Sequence, residues 1–238
     1  MCDTRERPLP GITVTTCPRA VRVSSEGPLS VLGSAVVGGG TGTTREILNV
    51  HVDDKYDGER PQDDLAAVAA ELGVHGPFVG LMTAAYTEFA RCAIESWGGL
   101  TVAAVVSVGL SNTSNAGVTP PIGADPANDR RAPAAGTINV VLLADARLTP
   151  AAMVNMVITV TEAKTMMLAA WRVRTPEGDP ASGTSTDTVV VACTDRGEEL
   201  CYAGPATPVG WLAARAVRAA MTRVFREKIE RDGGRDGW

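Results

Sequence analysis

Hydrophobic and polar positions change period several times along the chain. Residues 12–23 alternate apolar with polar side chains, the signature of one or two half-buried strands. Residues 30–37 are small and apolar and lead into Gly38-Gly39-Gly40-Thr41-Gly42. Residues 47–52 predict another strand, closing on the turn composition of residues 53–58. Leu65, Val68, Ala69 and Leu72 recur at helical spacing and predict a helix over residues 62–72. The short apolar run at residues 80–82 precedes a second expected helix over about residues 84–97. Residues 100–108 are rich in β-branched side chains and predict a strand.

Residues 111–133 mix Asn, Gly, Pro, Asp and Arg. This is the composition of a loop over a site rather than a linker, because strand signals resume at once on both sides. The run from Gly136 to Ala144 predicts a strand. Thr149 with Pro150 then opens a helix to about residue 170. A polar, hairpin-like stretch over residues 175–186, a Val-rich strand from Val189 and a long last helix over residues 211–231 complete the reading. Two strand-rich blocks, each followed by a long helix, predict an α/β layered sandwich in one domain over residues 1–238. The ends, 1–22 and 228–238, are expected to be peripheral.

Composition narrows the options. Aromatic residues make up 4% of the chain, so the core must be built from Val, Ala, Leu and Met. A net charge of −5 argues against nucleic acid as a partner, since phosphate contacts need clustered Lys and Arg. The one basic segment, residues 223–231, alternates with Glu227 and Glu230 and reads as a solvated helix face. The five cysteines are odd in number, form no Cys-x-x-Cys and sit mostly beside apolar residues, the pattern of reduced, buried thiols. No apolar run approaches the about 20 residues of a membrane span, and the first residues lack a signal-peptide core. A cytoplasmic protein is expected. Self-association into a homo-oligomer stays open.

Several segments carry candidate chemistry. Gly136-Thr137 stands at the mouth of a strand, where a hydroxyl is held by a rigid element, so Thr137 is a candidate nucleophile. Asn139, on the same strand, joins it in the candidate catalytic group. The run Gly38 to Gly42 matches neither Gly-x-Gly-x-x-Gly nor a P-loop and reads as a tight turn. His51, in Asn49-Val50-His51-Val52-Asp53-Asp54, has no second histidine at ligand spacing. It reads as a substrate contact or acid/base group rather than a metal ligand, and no metal or cofactor is expected. His75 reads as a surface residue. Ser111-Asn112-Thr113-Ser114-Asn115-Ala116-Gly117 follows a strand, so its amides can supply oxyanion donors or cap themselves locally. Gly183-Thr184-Ser185-Thr186-Asp187 has the same look before the Val189 strand, with Asp187 at the strand mouth. Glu162 and Lys164 interrupt an apolar helix, and Glu162 reads equally as a partly buried catalytic carboxylate or as part of an exposed stripe.

These blocks, taken in order, resemble the adenosylcobinamide amidohydrolases of corrinoid salvage. The resemblance rests on Leu29-Ser30 through Gly40, Asn49-Val50-His51-Val52, Gly80-Leu81-Met82-Thr83-Ala84-Ala85 and Val108-Gly109-Leu110-Ser111-Asn112. It continues through Gly136 to Pro150, Asn155 to Thr165, Gly183 to Cys193 and Tyr202 to Trp211. It implies hydrolysis of the amide joining aminopropanol to a corrin propionate, giving adenosylcobyric acid. Thr137, Asn139, Asp187 and Glu162 are the expected catalytic set. Asn49, His51, Ser111, Asn112, Asn115, Gly136 and Thr184 are expected to bind the corrinoid. The path from Gly136-Thr137 through Thr149-Pro150 to Asp187 is also similar to the β-peptidyl aminopeptidases and ornithine acetyltransferases. That likeness implies sheets packed between helices, and a Ser or Thr nucleophile freed by self-cleavage. A non-catalytic corrinoid-binding protein and another amidase or aminopeptidase on the same scaffold are the alternatives.

Overall fold

The computed structural model describes residues 4–121 and 136–231. The N-terminal alternation folds as β1 (Thr4–Leu9), β2 (Ile12–Thr16) and the long β3 (Ala20–Gly33), paired antiparallel in that order. Leu9, Ile12, Val14, Val21 and Val23 are all buried in one core. Residues 4–22, expected at the periphery, are therefore integral to the sheet.

β3 is shared by two layers. Its first half pairs with β2, and its second half pairs with β12 (Thr188–Cys193). Both halves also pair with β4 (Gly40–His51), but the register slips between Ser24 and Leu29. A slip of this kind bends the strand and increases its twist. β5 (Val79–Thr83) lies parallel beside β4. β6 (Arg91–Trp97) and β7 (Leu100–Val108) form a hairpin. After β8 (Thr113–Ser114), β9 (Ile138–Ala144) fills the place between β7 and β12. Among the described residues nine strands thus form one continuous sheet. It folds over so that Leu29, Ile47 and Leu81 share a core with Ala103, Val141 and Leu143.

Two short ribbons lie apart from it. β10 (Arg147–Leu148) pairs with β13 (Glu199–Leu200), and β8 pairs with β11 (Gly183–Thr184).

Helices cover the outer faces. α1 (Pro61–Glu71) sets Leu65, Val68 and Ala69 against Leu48 and Val50. α2 (Pro150–Ala170) and α3 (Pro208–Arg231) pack Met156, Val160, Leu212 and Phe225 onto Val102, Val106, Val140 and Leu142. The architecture is mixed α/β, with sheet layers between helices as expected. All of β9 is buried because helices cover one face and the other sheet layer covers the second. Thr149 caps α2 by accepting from Ala152 N at 3.1 Å. Thr207 does the same for α3 from Gly210 N at 3.1 Å, so this helix starts earlier than its apolar pattern indicates. Among the described residues no helix is long and apolar enough to cross a membrane.

The helix expected over residues 84–97 is not formed. A 3-10 turn at Thr87–Phe89 is followed by β6. The overlooked signal is Gly98-Gly99, with φ of +59° and +81°, joining Trp97 to Leu100. Two consecutive positive-φ glycines make the tight turn whose twist suits a β-hairpin. Of the glycine run after β3, Gly38 and Gly39 belong to the expected turn, whereas Gly40, Thr41 and Gly42 already pair with β3 as the start of β4. Gly38 and Gly40 have φ of +66° and +85°, and a Cβ on Gly39 would collide with Ala35 O. Residues 122–133 of the expected loop lie outside the described residues.

Candidate active site

The C-terminal ends of β4, β5 and β7 meet the N-terminal ends of β9 and β12. Ser107 is opposite Asn139, and Asn139 is opposite Thr188. Asn49 Nδ2 donates to Ser107 Oγ at 2.8 Å. Asn139 Nδ2 donates to Asn49 Oδ1 and to Met82 O, both at 2.8 Å. Thr137 Oγ1 lies 3.2 Å from Asn139 Oδ1 and 2.9 Å from Thr186 O, so its single proton serves one of them at a time. A line of neutral polar groups therefore crosses the apolar space between the layers. Burial of such groups is tolerated because they satisfy one another.

A second group clamps the backbone beside Thr137. Ile138 N donates to Asp187 Oδ1 at 3.0 Å, and Thr184 Oγ1 donates to the same oxygen. The other carboxylate oxygen pairs with Lys164 Nζ from α2. A Cβ on Gly183 would come 2.7 Å from that nitrogen and closer still to Asp187, so only glycine leaves room for the pair.

Gly136 is equally confined. A Cβ there would lie 2.7 Å from Ser111 N and 2.8 Å from Asn112 Oδ1. Its carbonyl accepts from Thr186 Oγ1 at 2.9 Å. Asn112 Nδ2 donates to Ser185 Oγ at 2.9 Å and to Thr186 Oγ1 at 3.3 Å. Asn112 Oδ1 is buried with no hydrogen-bond partner among the described residues.

Gly136 and Ser111 also line a cleft of about 400 Å³, together with Tyr86, Phe89, Val108 and Leu110. His51 stands beside it, its ring stacked on Tyr86 and its Nδ1 3.1 Å from Ala85 O. A carbonyl can only accept, so this contact puts a proton on Nδ1. The basic end of α3 is more than a solvated face. Arg223 donates to Cys92 O at 2.6 Å, Glu227 pairs with Arg91, and Lys228 and Arg231 reach the cleft.

The fold gathers Asn49, Asn112, Gly136, Thr137, Asn139, Thr184 and Asp187 into this cluster, with Ser111 and His51 at its edge. Two expected residues do not join it. Asn115 closes a local turn, accepting from Val118 N at 3.0 Å and Thr119 N at 2.9 Å. Glu162 is exposed on α2. Two positions along a helix amount to about 200° of rotation, so with Lys164 turned inward Glu162 faces away. Lys164, Ser107, Thr186 and Tyr86 are additions to the expected site residues. Lys164 alone carried a signal, lying at helical spacing with the buried residues Val160, Ala163 and Met167.

Comparison with known proteins adds to this geometry. A family model described as adenosylcobinamide amidohydrolase matches residues 8–233. A Methanosarcina mazei protein named adenosylcobinamide amidohydrolase is 30% identical over 193 residues, which is 77% of this chain and 84% of that protein. A Halobacterium salinarum protein of the same name is 40% identical over 141 residues, covering 59% of this chain and 55% of its own. A solved Burkholderia sp. beta-aminopeptidase aligns with a TM-score of 0.49 at 16% identity, over 94% of this chain and 88% of that one. The protein is thus a hydrolase acting on a linear amide. Within that class, the chain belongs to the adenosylcobinamide amidohydrolase family.

Proposed function

We propose that this protein hydrolyses the amide between aminopropanol and the corrin propionate of adenosylcobinamide, releasing adenosylcobyric acid for cobalamin salvage. Thr137 is the nucleophile in this reading. The observation that carries it is the Thr137 hydroxyl, oriented by Asn139 and Thr186 one residue from the glycine that lines the cleft. Attack of Oγ1 on the amide carbonyl carbon forms an ester and breaks the C–N bond. The hydroxyl proton ends on the departing amine. Water then cleaves the ester, yields the carboxylic acid and restores the hydroxyl.

The surrounding groups divide the work. Asn139, supported by Asn49, orients the hydroxyl. Asp187, held by Lys164 and Thr184, fixes the backbone at Ile138. Gly136, with no side chain, lets Ser111 and Asn112 pack directly against the backbone beside Thr137. Ser111, Asn112 and His51 bind the amide-fringed edge of the corrinoid, matching its donors and acceptors without net charge.

Incubation of the purified protein with adenosylcobinamide, followed by separation of the corrinoids, tests the proposal. Appearance of adenosylcobyric acid with release of aminopropanol supports it. Binding without product marks a corrinoid-binding protein instead. Absence of both product and binding redirects the site to a different amide.

A further inference from the structure

Tyr86 is a large aromatic side chain that the fold holds rigid while leaving it 63% exposed. One side of its ring stacks on His51, with centroids 5.4 Å apart and planes inclined by 24°. Phe89 meets it edge-on at 6.2 Å. The backbone beneath is pinned as well. Phe89 N donates to Tyr86 O at 3.1 Å, and Thr87 Oγ1 donates to Cys17 O at 2.6 Å, tying the 3-10 turn to the adjacent sheet layer.

The cleft beside this ring has Gly136 on another wall and Val108, Leu110 and Val224 among its apolar lining. The Arg231 guanidinium sits 3.4 Å from the Phe89 centroid, so Phe89 is covered and Tyr86 is the aromatic ring left open. A volume of about 400 Å³ falls near the lower end of small-ligand sites, room for one ring system rather than for a whole macrocycle. Rigid exposed aromatics are efficient contact surfaces, because stacking on them orders little further.

We infer that Tyr86 is a specificity-determining residue, the platform on which a flat conjugated ring of the substrate stacks while the scissile amide reaches Thr137. The inference rests on the proposed corrinoid reaction. Two parts of the substrate offer such a ring: the conjugated edge of the corrin and the nucleobase of the adenosyl ligand. His51 acts in this arrangement as the support that keeps Tyr86 in plane.

The test compares the full chain with Tyr86→Ala and Tyr86→Phe. KM and kcat are measured on adenosylcobinamide and on a cobinamide whose upper ligand is methyl. Equilibrium dialysis of both corrinoids is run alongside in a Thr137→Ala background, where the substrate stays intact. Tyr86→Ala is expected to weaken binding and raise KM about tenfold with kcat little changed, and Tyr86→Phe to stay within about twofold. Loss confined to the adenosyl form assigns the nucleobase, and loss on both forms assigns the corrin edge. Unchanged dissociation constants for both corrinoids in Tyr86→Ala overturn the inference. Absence of turnover in the wild-type chain counts against the proposed reaction alone, because dialysis still reads binding.

Discussion

Lys164 and Asp187 form an ion pair across the boundary between α2 and the mouth of β12, with side chains only 7% and 14% exposed. A charge pair this deep persists only when its remaining valences are met. Here Ile138 N and Thr184 Oγ1 meet those of the carboxylate. The pair thereby joins a helix to the backbone next to the candidate nucleophile.

Breaking that pair from one side is expected to cost about 3–5 kcal/mol, because the other charge stays buried without its partner. Lys164→Met and Asp187→Leu should each lose this much in denaturant unfolding. The double variant should lose less than either single change. Equal additive losses would mean that the two groups do not act as a pair.

Thr137→Ala is expected to lower kcat by about a thousandfold or more, while corrinoid binding stays near normal. Steady-state assay with equilibrium dialysis separates the two effects. Retained turnover would move the chemistry to an activated water. Intact mass spectrometry of the purified wild type adds an independent reading, since cleavage before Thr137 yields two fragments in place of one species.

Asn139→Ala removes the donor to both Asn49 Oδ1 and Met82 O. Each acceptor left unsatisfied in the inter-layer space costs about 1–3 kcal/mol. A measurable fall in stability together with a fall in kcat is expected, whereas Ser111→Ala, at an exposed position, should leave stability within about 0.5 kcal/mol of wild type.

Glu162→Gln should leave both turnover and unfolding free energy nearly unchanged, within about 0.5 kcal/mol for the latter, because the side chain is exposed. Lys164→Gln, two positions on, should impair both. A strong kinetic effect at Glu162 would restore it to the catalytic set and contradict the helix geometry.

Burial pushes the thiols of Cys92 and Cys193 up to about 12 from an ordinary value of 9.0. The unfolded chain ionises these thiols first as pH rises. Their contribution is therefore fully present below pH 9.0 and declines steadily as pH approaches about 12. Denaturant unfolding across that range should show the decline, and Cys92→Ala with Cys193→Ala should flatten it. In the native state an alkylating reagent should label exposed Cys201 well before either buried thiol.

Much of the architecture was legible because burial writes a period into the chain. The apolar run of β9, the Thr149-Pro150 start of α2 and the regular spacing in α1 each follow from local rules, and the structure keeps them. The same holds for the strand-mouth position of Thr137. Periodicity says which side of an element is buried, but not what it is buried against. The apolar residues of 84–97 fitted a helix as well as a strand, and full-length pairing with β7 decided for β6. Residue types could not choose between Glu162 and Lys164. The rotation of α2 against the sheet chose, turning Lys164 toward a carboxylate 23 residues later. Nor could they join Asn49 to Asn139, 90 residues away, since that contact exists only once β3 bends and lays one sheet layer on the other. Local sequence determined most of the elements and the perch of the candidate nucleophile. The pairing of distant strands decided which side chains stand beside it, because register and layer crossing are properties of the whole sheet.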